Sequence, residues 1–403
     1  MLHSFAIKNF RSFKERTEVS LRLTRKASAH GWDAKSPAGD RLAAALAVVG
    51  PNGAGKTSLI KPLAFLSWFT KNSFLQSQPT ALIPVKPHFS TPDEPIEFEV
   101  EASDTEDTLW RYVLKVLPER VLHEAIYRKP NRKGAKFSYM FVRDWDEGEQ
   151  QYSIKQEGFG LNPLEARKVR PNASLISTAA QYGVEAAQHL VGARVSSNLW
   201  HAGRFDVDDA FAHATVFFQL NEVLKEKMEA LLRSWDLGLS GVVIREIEQP
   251  IKLPEGVRRP AHHQYTTFGV HALKDGSMHE LPMTEESSGT RTAFVTLWYL
   301  LNVLSTGGIA VIDELESDLH PHMIEPLLEL FASPATNPHK AQIIFTSHSV
   351  EVVNLLGKSQ VFLVEKTDCE SAAWRLDSME GVRSQDNFYA KYMSGAYGAV
   401  PRL

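Results

Sequence analysis

The chain lacks most features of secreted, disulfide-bonded and membrane-spanning proteins. It has one cysteine, Cys369, among 403 residues, which excludes a disulfide framework or a cysteine zinc cluster within one chain. No uninterrupted apolar run reaches the ~18 residues typical of a transmembrane helix. Residues 1–8 do not have the pattern of a signal peptide. We therefore expect a cytoplasmic protein with no membrane association.

The chain also lacks an excess of either charge. It has 44 basic and 48 acidic residues, so its net charge is −4, and nucleic-acid binding would require a local basic patch. An apolar content of 43% is typical of a globular protein that buries a large core. We find no internal repeat, sustained heptad pattern or low-complexity tract, which argues against a solenoid or a long coiled coil.

The strongest positive signal is a glycine-rich turn between a predicted strand and a predicted helix. Gly50–Thr57 (GPNGAGKT) follows the apolar run Ala45–Val49 and precedes the helix-like segment Ser58–Leu66. In this phosphate-binding loop (P-loop), backbone N–H groups and the start of the helix surround the phosphates of a nucleotide. Lys56 is placed to reach the β- and γ-phosphates of ATP, and the Thr57 hydroxyl to ligate Mg²⁺.

Two further segments predict the rest of an ATPase site. Gly308–Glu314 (GIAVIDE) is an apolar strand that ends in two carboxylates, the pattern called Walker B. Asp313 is predicted to hold Mg²⁺, and Glu314 to orient and activate the attacking water. The apolar strand Ala341–His348 ends in a histidine that could contact the γ-phosphate.

A serine-rich segment before the predicted helix Ala293–Leu301 suggests a second anion-binding end. Ser287, Ser288 and Gly289 would lie at the helix N-terminus, although in isolation an ordinary serine-rich helix cap is the better explanation of them. Because one P-loop does not need two such ends on its own phosphates, we expect this helix to cap the nucleotide of a partner subunit.

The remaining patterns predict an α/β fold with an antiparallel sheet. Arg11 lies between two predicted strands and could reach a phosphate or stack on a base. Pro62 is expected to kink the helix that follows the P-loop. We predict strands at 2–10, 19–24, 95–101, 109–116, 121–127, 137–142, 242–247 and 266–272, with the four from 95 to 142 forming an antiparallel meander, loops at 25–43 and 71–94, and a helix at 218–235.

The predicted helix at 218–235 places one residue per turn on a single face. Leu220, Leu224, Met228, Leu231 and Trp235 share that face, and we expect them to pack into the core. The chain is expected to divide into an ATPase lobe over 1–160, an inserted helical and β subdomain over 161–280, and a second ATPase lobe over 281–403.

Together these motifs resemble an ABC-type ATPase head. The resemblance rests on the P-loop, on Glu286–Thr290 (ESSGT), on the Walker B strand with Leu319–Pro321 after it, and on Thr346–His348. Within that class the chain resembles the family-15 AAA ATPases, including the RloA-like and AbiL-like proteins of phage-defence operons. It is more distantly similar to RecF and to SMC-type heads.

The resemblance implies roles for individual residues. Ser287–Thr290 would be the signature that completes a partner's site, Asp318 would lie in the D-loop, and His348 would be the switch histidine. Neither Gln76 nor Gln78 can be assigned to a Q-loop by pattern. The implied nucleotide-binding residues are Arg11, Gly50, Asn52, Gly53, Ala54, Gly55, Lys56, Thr57, Ser58, Ser287, Ser288, Gly289 and Thr290, with Thr57 and Asp313 at Mg²⁺, and Lys56, Glu314 and His348 catalytic.

Two functions follow from the resemblance. The first is an ATPase that dimerises, or forms a higher oligomer, over ATP and regulates a separate nuclease or Toprim-type effector in antiphage defence. The second is a RecF-like repair ATPase that binds DNA directly. Only 55 residues follow His348 in this sequence, which is short for an appended Toprim domain with its own metal site.

Overall fold

The structure, a computed structural model, divides the chain into two compact units. Unit 1 comprises Met1–Arg204, Val303–Leu315 and Ile324–Leu403, and unit 2 comprises Phe205–Asn302 and Glu316–Met323. The division predicted from the sequence, into three parts with boundaries at 160 and 280, stays a prediction. The structure describes residues 1–24, 27, 31–36, 39–106, 108–132, 134–200, 203–247 and 264–401.

The strands of the described residues form two large sheets in unit 1, a three-stranded sheet in unit 2 and one short hairpin. In chain order they are β1 (Leu2–Lys8), β2 (Thr17–Ser20), β3 (Asp33–Lys35), β4 (Arg41–Ala43), β5 (Ala45–Val49), β6 (Ile96–Ser103), β7 (Leu109–Leu117), β8 (Arg120–Lys129), β9 (Ser138–Asp146), β10 (Gln151–Gln156), β11 (Val195–Ser197), β12 (Gly241–Ile247), β13 (Gln264–Ala272), β14 (Met278–Pro282), β15 (Ile309–Ile312), β16 (Gln342–Ser347), β17 (Val361–Thr367) and β18 (Glu370–Arg375).

The helices are distributed over both units. Among those of the described residues, none has the length and apolarity that a membrane crossing needs. In chain order they are α1 (Lys56–Gln76), α2 (Pro163–Ala166), α3 (Leu175–Gln181), α4 (Glu185–Val191), α5 (Val207–Leu220), α6 (Glu222–Ser234), α7 (Ser288–Leu304), α8 (Ile324–Ala332), α9 (Val352–Leu356) and α10 (Phe388–Met393).

The six-stranded sheet of unit 1 has the order β11-β15-β16-β5-β17-β18. Its first five strands are parallel and only β18 is antiparallel. Strands β5, β15 and β16 are buried at every position. Parallel strands covered on both faces read as continuous apolar runs, which is why all three were recognisable in the sequence.

The seven-stranded sheet has the order β10-β9-β8-β7-β6-β1-β2, with all neighbours antiparallel. The predicted α/β class and the antiparallel meander are therefore confirmed. The meander has one more strand than predicted, β10, because Gln151–Gln156 is a polar edge strand with little buried surface. Strand β1 pairs with β6, so the meander continues into the N-terminal hairpin.

Several predicted boundaries were wrong. Helix α1 continues without interruption past Pro62 and ends at Gln76, so the predicted loop begins at Ser77 rather than at Lys71. The predicted loop over 25–43 contains the hairpin β3–β4. Positions 25–26, 28–30 and 37–38 of that loop lie outside the described residues.

The predicted helix over 218–235 is two helices that meet at Asn221. Helix α5 ends at Leu220, which is 71% exposed, and α6 begins at Glu222. Met228 and Leu232 are the buried residues of α6. The break at Asn221 moves Leu220 off the apolar face that a single helix would have had, so the predicted core placement of that residue was wrong.

Helix α3 supports the C-terminal half of α1 in unit 1. The Ser174 N–H donates to Ser73 Oγ at 3.0 Å, and the Phe74 N–H donates to Ser177 Oγ at 3.1 Å. The buried Glu124 carboxylate accepts from Ser174 Oγ and from the Leu175 N–H. These bonds link the helix that starts at the P-loop to strand β8 of the antiparallel sheet.

Candidate nucleotide-hydrolysis site

Three parallel strands of unit 1 end at one edge of the six-stranded sheet. Strand β5 runs into the P-loop, β15 into Asp313 and Glu314, and β16 into His348. Strand β16 lies between the other two, with register pairs Ile343–Ala45 and Ile344–Val311. Ligand sites of open α/β sheets lie at the carboxyl ends of the strands, and these predicted residues meet there.

The P-loop has the backbone that anion binding needs. Gly53 has φ +74° and Gly55 has φ +111°, conformations that favour glycine. A Cβ atom on Gly55 would also meet Ser371 Oγ at 2.6 Å and Ser12 Oγ at 2.9 Å. Helix α1 starts after Gly55 with no side-chain cap bond and no acidic residue in its first turn. Its N-terminus is therefore suited to a phosphate.

Lys56 closes the P-loop on itself. Its ammonium donates to the carbonyl oxygens of Gly50 at 2.8 Å and Pro51 at 3.2 Å, and lies 3.3 Å from His348 Nδ1. The residue is only 6% exposed. The P-loop lysine and the histidine at the end of β16 are thus direct neighbours.

Asp313 is the most firmly held carboxylate of the site. Thr57 Oγ1 lies 3.0 Å from both of its oxygens, and Thr346 Oγ1 donates to Oδ1 at 2.7 Å. The Asn198 side chain bonds to both the N–H and the carbonyl oxygen of Asp313, each at 2.8 Å. A carboxylate and a hydroxyl oxygen are hard donors of the kind that Mg²⁺ prefers, so this pair fits the predicted metal.

Glu314 has an unusual backbone and two side-chain partners. Its φ is +51°, and its N–H donates to Thr346 Oγ1 at 2.7 Å. Arg204 Nη1 donates to Oε2 at 2.7 Å, and His348 Nε2 lies 3.5 Å from Oε1. His348 thus lies between the amine of Lys56 and the carboxylate of Glu314.

The loop that contains Arg11 is fastened to the P-loop. Ser371 Oγ donates to the Ala54 carbonyl oxygen at 2.6 Å and lies 2.8 Å from Ser12 Oγ. The Arg11 N–H donates to the Lys86 carbonyl oxygen at 2.9 Å. The structure therefore brings the Arg11 backbone close to the P-loop, and a contact between its side chain and a phosphate stays a prediction.

Lys61 adds a positive charge that sequence reasoning missed. It follows Thr57 by one helical turn and is 3% exposed. Burial, and to a smaller extent the nearby charge of Arg11, lowers the pKa of Lys61 to about 8, while Asp313 acts in the opposite direction. The sequence could have indicated this buried charge, because a lysine between the apolar residues Ile60 and Leu63 of a buried helix is unusual.

The signature segment belongs to unit 2. Ser287 Oγ accepts from the Thr290 N–H at 3.1 Å and is 2.9 Å from Thr290 Oγ1, so Ser287 caps α7. Thr290 is buried, whereas Ser287 and Ser288 are exposed. A Cβ atom on Gly289 would meet the Asp318 carbonyl oxygen at 2.9 Å, so glycine permits this close approach.

The predicted Q-loop candidates lie far from the P-loop. Gln76 is 20 residues along α1 from Lys56, about 30 Å at 1.5 Å per residue. Its Oε1 accepts from Trp68 Nε1 at 2.7 Å, and Gln78 is exposed just beyond the helix. Neither glutamine is placed to contact a phosphate held at the P-loop.

Asn198 and Arg204 were missed entirely. Both follow β11, a three-residue strand whose sequence, Val-Ser-Ser, carries almost no apolar signal. The pairing of β11 with β15 places both residues beside the Walker B carboxylates, which no local sequence pattern indicates.

Comparison with protein families agrees with this geometry. The family described as "AAA domain, putative AbiEii toxin, Type IV TA system" matches residues 46–354. The chain belongs to this family of AAA ATPases. The matched region contains the P-loop, the signature segment, Asp313, Glu314 and His348, and the resemblance drawn from these motifs is confirmed. The chain is therefore an ATPase.

More distant likenesses were found among solved structures, and no match among curated proteins. The SMC head domain from Thermotoga maritima has 11% identity over 93% of this chain and 98% of its own, with a TM-score of 0.40. The Smc head domain with a coiled coil and joint from Pyrococcus yayanosii has 10% identity over 98% and 99%, with a TM-score of 0.47.

A RecF–ATP structure of the RecFOR pathway has 11% identity over 87% of this chain and 93% of its own, with a TM-score of 0.35. Because none of these three TM-scores reaches 0.5, the family assignment rests on the family match and the site geometry.

Proposed function

We propose that the edge of the six-stranded sheet hydrolyses ATP with Mg²⁺. The P-loop amides and Lys56 hold the β- and γ-phosphates, and Thr57 and Asp313 hold the metal. Mg²⁺, when bound, neutralises charge on the phosphate oxygens. Glu314 accepts a proton from the attacking water, and His348 contacts the γ-phosphate. The observation that carries this proposal is the contact between Asp313 and Thr57, which joins the two motifs in one metal-binding pair.

We further propose that ATP joins two copies of the chain, or more. In unit 2, Ser288 is exposed at the N-terminus of the 17-residue helix α7, and Ser287 already caps that helix. A helix N-terminus of this kind attracts a phosphate, and the P-loop already supplies one such end for its own nucleotide. The signature Ser287–Thr290 of one copy would thus face the nucleotide of the other.

The biological role we infer is that of a regulatory ATPase in antiphage defence. One observation and one resemblance support it: the family description names a putative AbiEii toxin of a type IV toxin–antitoxin system, and Glu286–Thr290 (ESSGT) resembles the signature of defence-type ATPases. ATP-dependent dimerisation would control a separate effector, of nuclease or Toprim type. Genes encoding such an effector next to this one would support the role, whereas replication genes would favour the RecF-like alternative.

The central test uses Glu314→Gln, which keeps the size of the side chain but cannot accept a proton from water. We expect this variant to bind ATP, fail to hydrolyse it and form a longer-lived dimer with ATP than with ADP. Ligand that binds only the dimer at a hundredfold excess over Kd stabilises it by about 2.7 kcal/mol per site. Size-exclusion chromatography with light scattering in ATP, ADP and no nucleotide measures this.

The matched control places the same bulky cation at two serines of unit 2. In the Glu314→Gln background, Ser288→Arg should prevent the ATP-dependent dimer, because it obstructs the exposed N-terminus of α7. Ser234→Arg, at the exposed C-terminal end of α6, should leave the dimer intact. If the oligomeric state does not change with nucleotide, or if the two arginine variants behave identically, the signature segment does not bind the nucleotide of a second copy.

The separate-effector proposal has its own test. Among the described residues, no group of three or more histidine, cysteine, aspartate or glutamate side chains could hold a metal ion. We expect the chain alone, with ATP and Mg²⁺ or Mn²⁺, to cleave neither DNA nor RNA. Dose-dependent cleavage that survives in Glu314→Gln would contradict this. ATP hydrolysis stimulated by DNA alone would favour the RecF-like alternative.

A further inference from the structure

In unit 1 the bridge between Leu199 and Arg204 brings an arginine to the Walker B glutamate. Strand β11 pairs with β15 in parallel, with register pairs from Val195–Ile309 to Ser197–Val311. After β11 the chain reverses direction, because Leu199 and Arg204 form an antiparallel bridge and the Trp200 N–H donates to the Gly203 carbonyl oxygen at 2.8 Å. Arg204 therefore returns to the carboxyl end of β15, where Glu314 lies.

The two oxygens of Glu314 have different partners. Arg204 Nη1 donates to Oε2 at 2.7 Å, a short charge-assisted bond. Oε1 lies on the side of His348, whose Nε2 is 3.5 Å away. The side chains of Arg204 and Glu314 are 32% and 42% exposed. An ion pair this exposed contributes little to stability, so stability alone gives little reason for it.

The backbone of Glu314 makes such a partner useful. Its φ of +51° is uncommon for a residue with a side chain, and such strain collects at functional sites. The Glu314 N–H is held by Thr346 Oγ1, which also donates to Asp313. The main chain is thus fixed, whereas without Arg204 the half-exposed carboxylate would keep only the longer contact with His348, at 3.5 Å.

We propose that Arg204 is a positioning residue for ATP hydrolysis. It holds Oε2 of Glu314 and thereby directs Oε1 towards His348, on the side of the P-loop lysine. This rests on the proposed role of Glu314 as the proton acceptor. A general base must lie within hydrogen-bond reach of the proton it takes, and a misplacement of ~1 Å can cost about 10²-fold in rate. Arg204 acts through Glu314 and needs no contact with ATP.

The test compares two arginines that form similar ion pairs. Arg204→Ala should lower kcat by about 10- to 100-fold, the usual loss when a supporting residue is removed. Its KM for ATP should stay within about threefold, since P-loop contacts are untouched. Arg204→Lys should be intermediate, because it keeps the charge but not the planar guanidinium. Arg245→Ala removes the exposed pair Arg245–Glu280 of unit 2, at 2.6 Å, and should change nothing.

A double variant shows whether Arg204 acts through Glu314. In Glu314→Asp the shorter carboxylate loses its contact with Arg204. Adding Arg204→Ala should then cost less than about threefold, because coupled residues are not additive. A merely structural role would instead lower the melting temperature and give the same loss in both backgrounds.

The outcomes separate this inference from the proposed function. If Glu314→Gln hydrolyses ATP at the wild-type rate, the assignment of the base is wrong and the inference falls with it. If Glu314→Gln is inactive but Arg204→Ala turns over within twofold of wild type, or faster, only the role of Arg204 is overturned. A loss in kcat with unchanged KM, absent in the Glu314→Asp background, supports it.

Discussion

The Walker edge of unit 1 and the signature segment of unit 2 differ in how their residues are held. Asp313 is 6% exposed and bonded to Thr57, Thr346 and Asn198, so its position is determined within one chain. Ser288 is exposed at the start of α7, next to the cap formed by Ser287. Preorganised groups can stabilise a transition state without rearranging, whereas exposed groups at a helix N-terminus are suited to bind a phosphate that another molecule carries.

The comparison predicts that substitutions at the Walker edge act at any protein concentration. Lys56→Ala should have the largest effect and lower ATP turnover by about 10³-fold, the loss that follows removal of a preorganised contact to developing charge. Steady-state hydrolysis over a range of protein concentrations measures it. The melting temperature is the control, since the variant should remain folded. Wild-type turnover with an unchanged melting curve would remove Lys56 from the site.

The Walker edge was predictable from sequence because its strands are buried on both faces. Val48, Ile312 and Phe345 lie in continuous apolar runs that end in polar residues, and parallel strands deliver such ends to one edge. Local patterns thus sufficed for the P-loop, Asp313, Glu314 and His348. The helix break at Asn221 was missed because the apolar periodicity continues across it while the chain turns.

Other parts of the site depend on tertiary pairing and have no local signal. Strand β11 is recognisable only by its pairing with β15, so Asn198 and Arg204 could not be found from their neighbours in the chain. The sequence singled out Arg11 but not the attachment of its loop to the P-loop, because Ser12 and Ser371 are 359 residues apart in sequence.

Asn198→Ala is the second prediction and tests the preorganisation of Asp313 directly. The Asn198 side chain is the partner of both backbone polar groups of Asp313, so its removal leaves the metal carboxylate less well placed. Removal of such supporting contacts typically costs about 10- to 100-fold in metal affinity or activity. We expect the Mg²⁺ concentration that gives half-maximal turnover to rise by that factor. If the Mg²⁺ dependence of turnover is unchanged, Asn198 does not preorganise Asp313, which would contradict this description of the Walker edge of unit 1.

In unit 2, a pair of alanine variants distinguishes a serine that caps α7 from a serine that is proposed to bind the nucleotide of a partner. Ser287→Ala removes the cap of α7 and should cost about 1 kcal/mol of stability. Ser288→Ala removes an exposed hydroxyl and should leave the melting temperature unchanged, while it weakens the ATP-dependent dimer in the Glu314→Gln background. Thermal melts and light scattering on both variants measure this. A larger loss of stability in Ser288→Ala would assign that serine to folding rather than to a partner's nucleotide.

The smallest expected effect concerns Lys61, a charge buried beside the preorganised edge. Its pKa in the folded protein is about 8, below the ordinary value of 10.5. Below pH 8 the ammonium is charged in both states, and its burial opposes folding in full. Between pH 8 and 10.5 the unfolded chain binds the proton and the folded chain does not, so the contribution of Lys61 to stability rises with pH. Lys61→Met removes this dependence.

Lys61→Met should therefore be more stable than the wild type at pH 7, and the difference should shrink towards pH 10. Because ~1 kcal/mol shifts Tm by about 2–4 °C in larger domains, we expect a difference of a few degrees at most. Melts of both proteins at pH 7, 8, 9 and 10 without nucleotide measure it, and other titrating groups cancel in the comparison. If the Met variant is the less stable at pH 7, the Lys61 ammonium is attracted to Asp313 more than burial opposes it. The preorganisation of that carboxylate would then include a fourth partner.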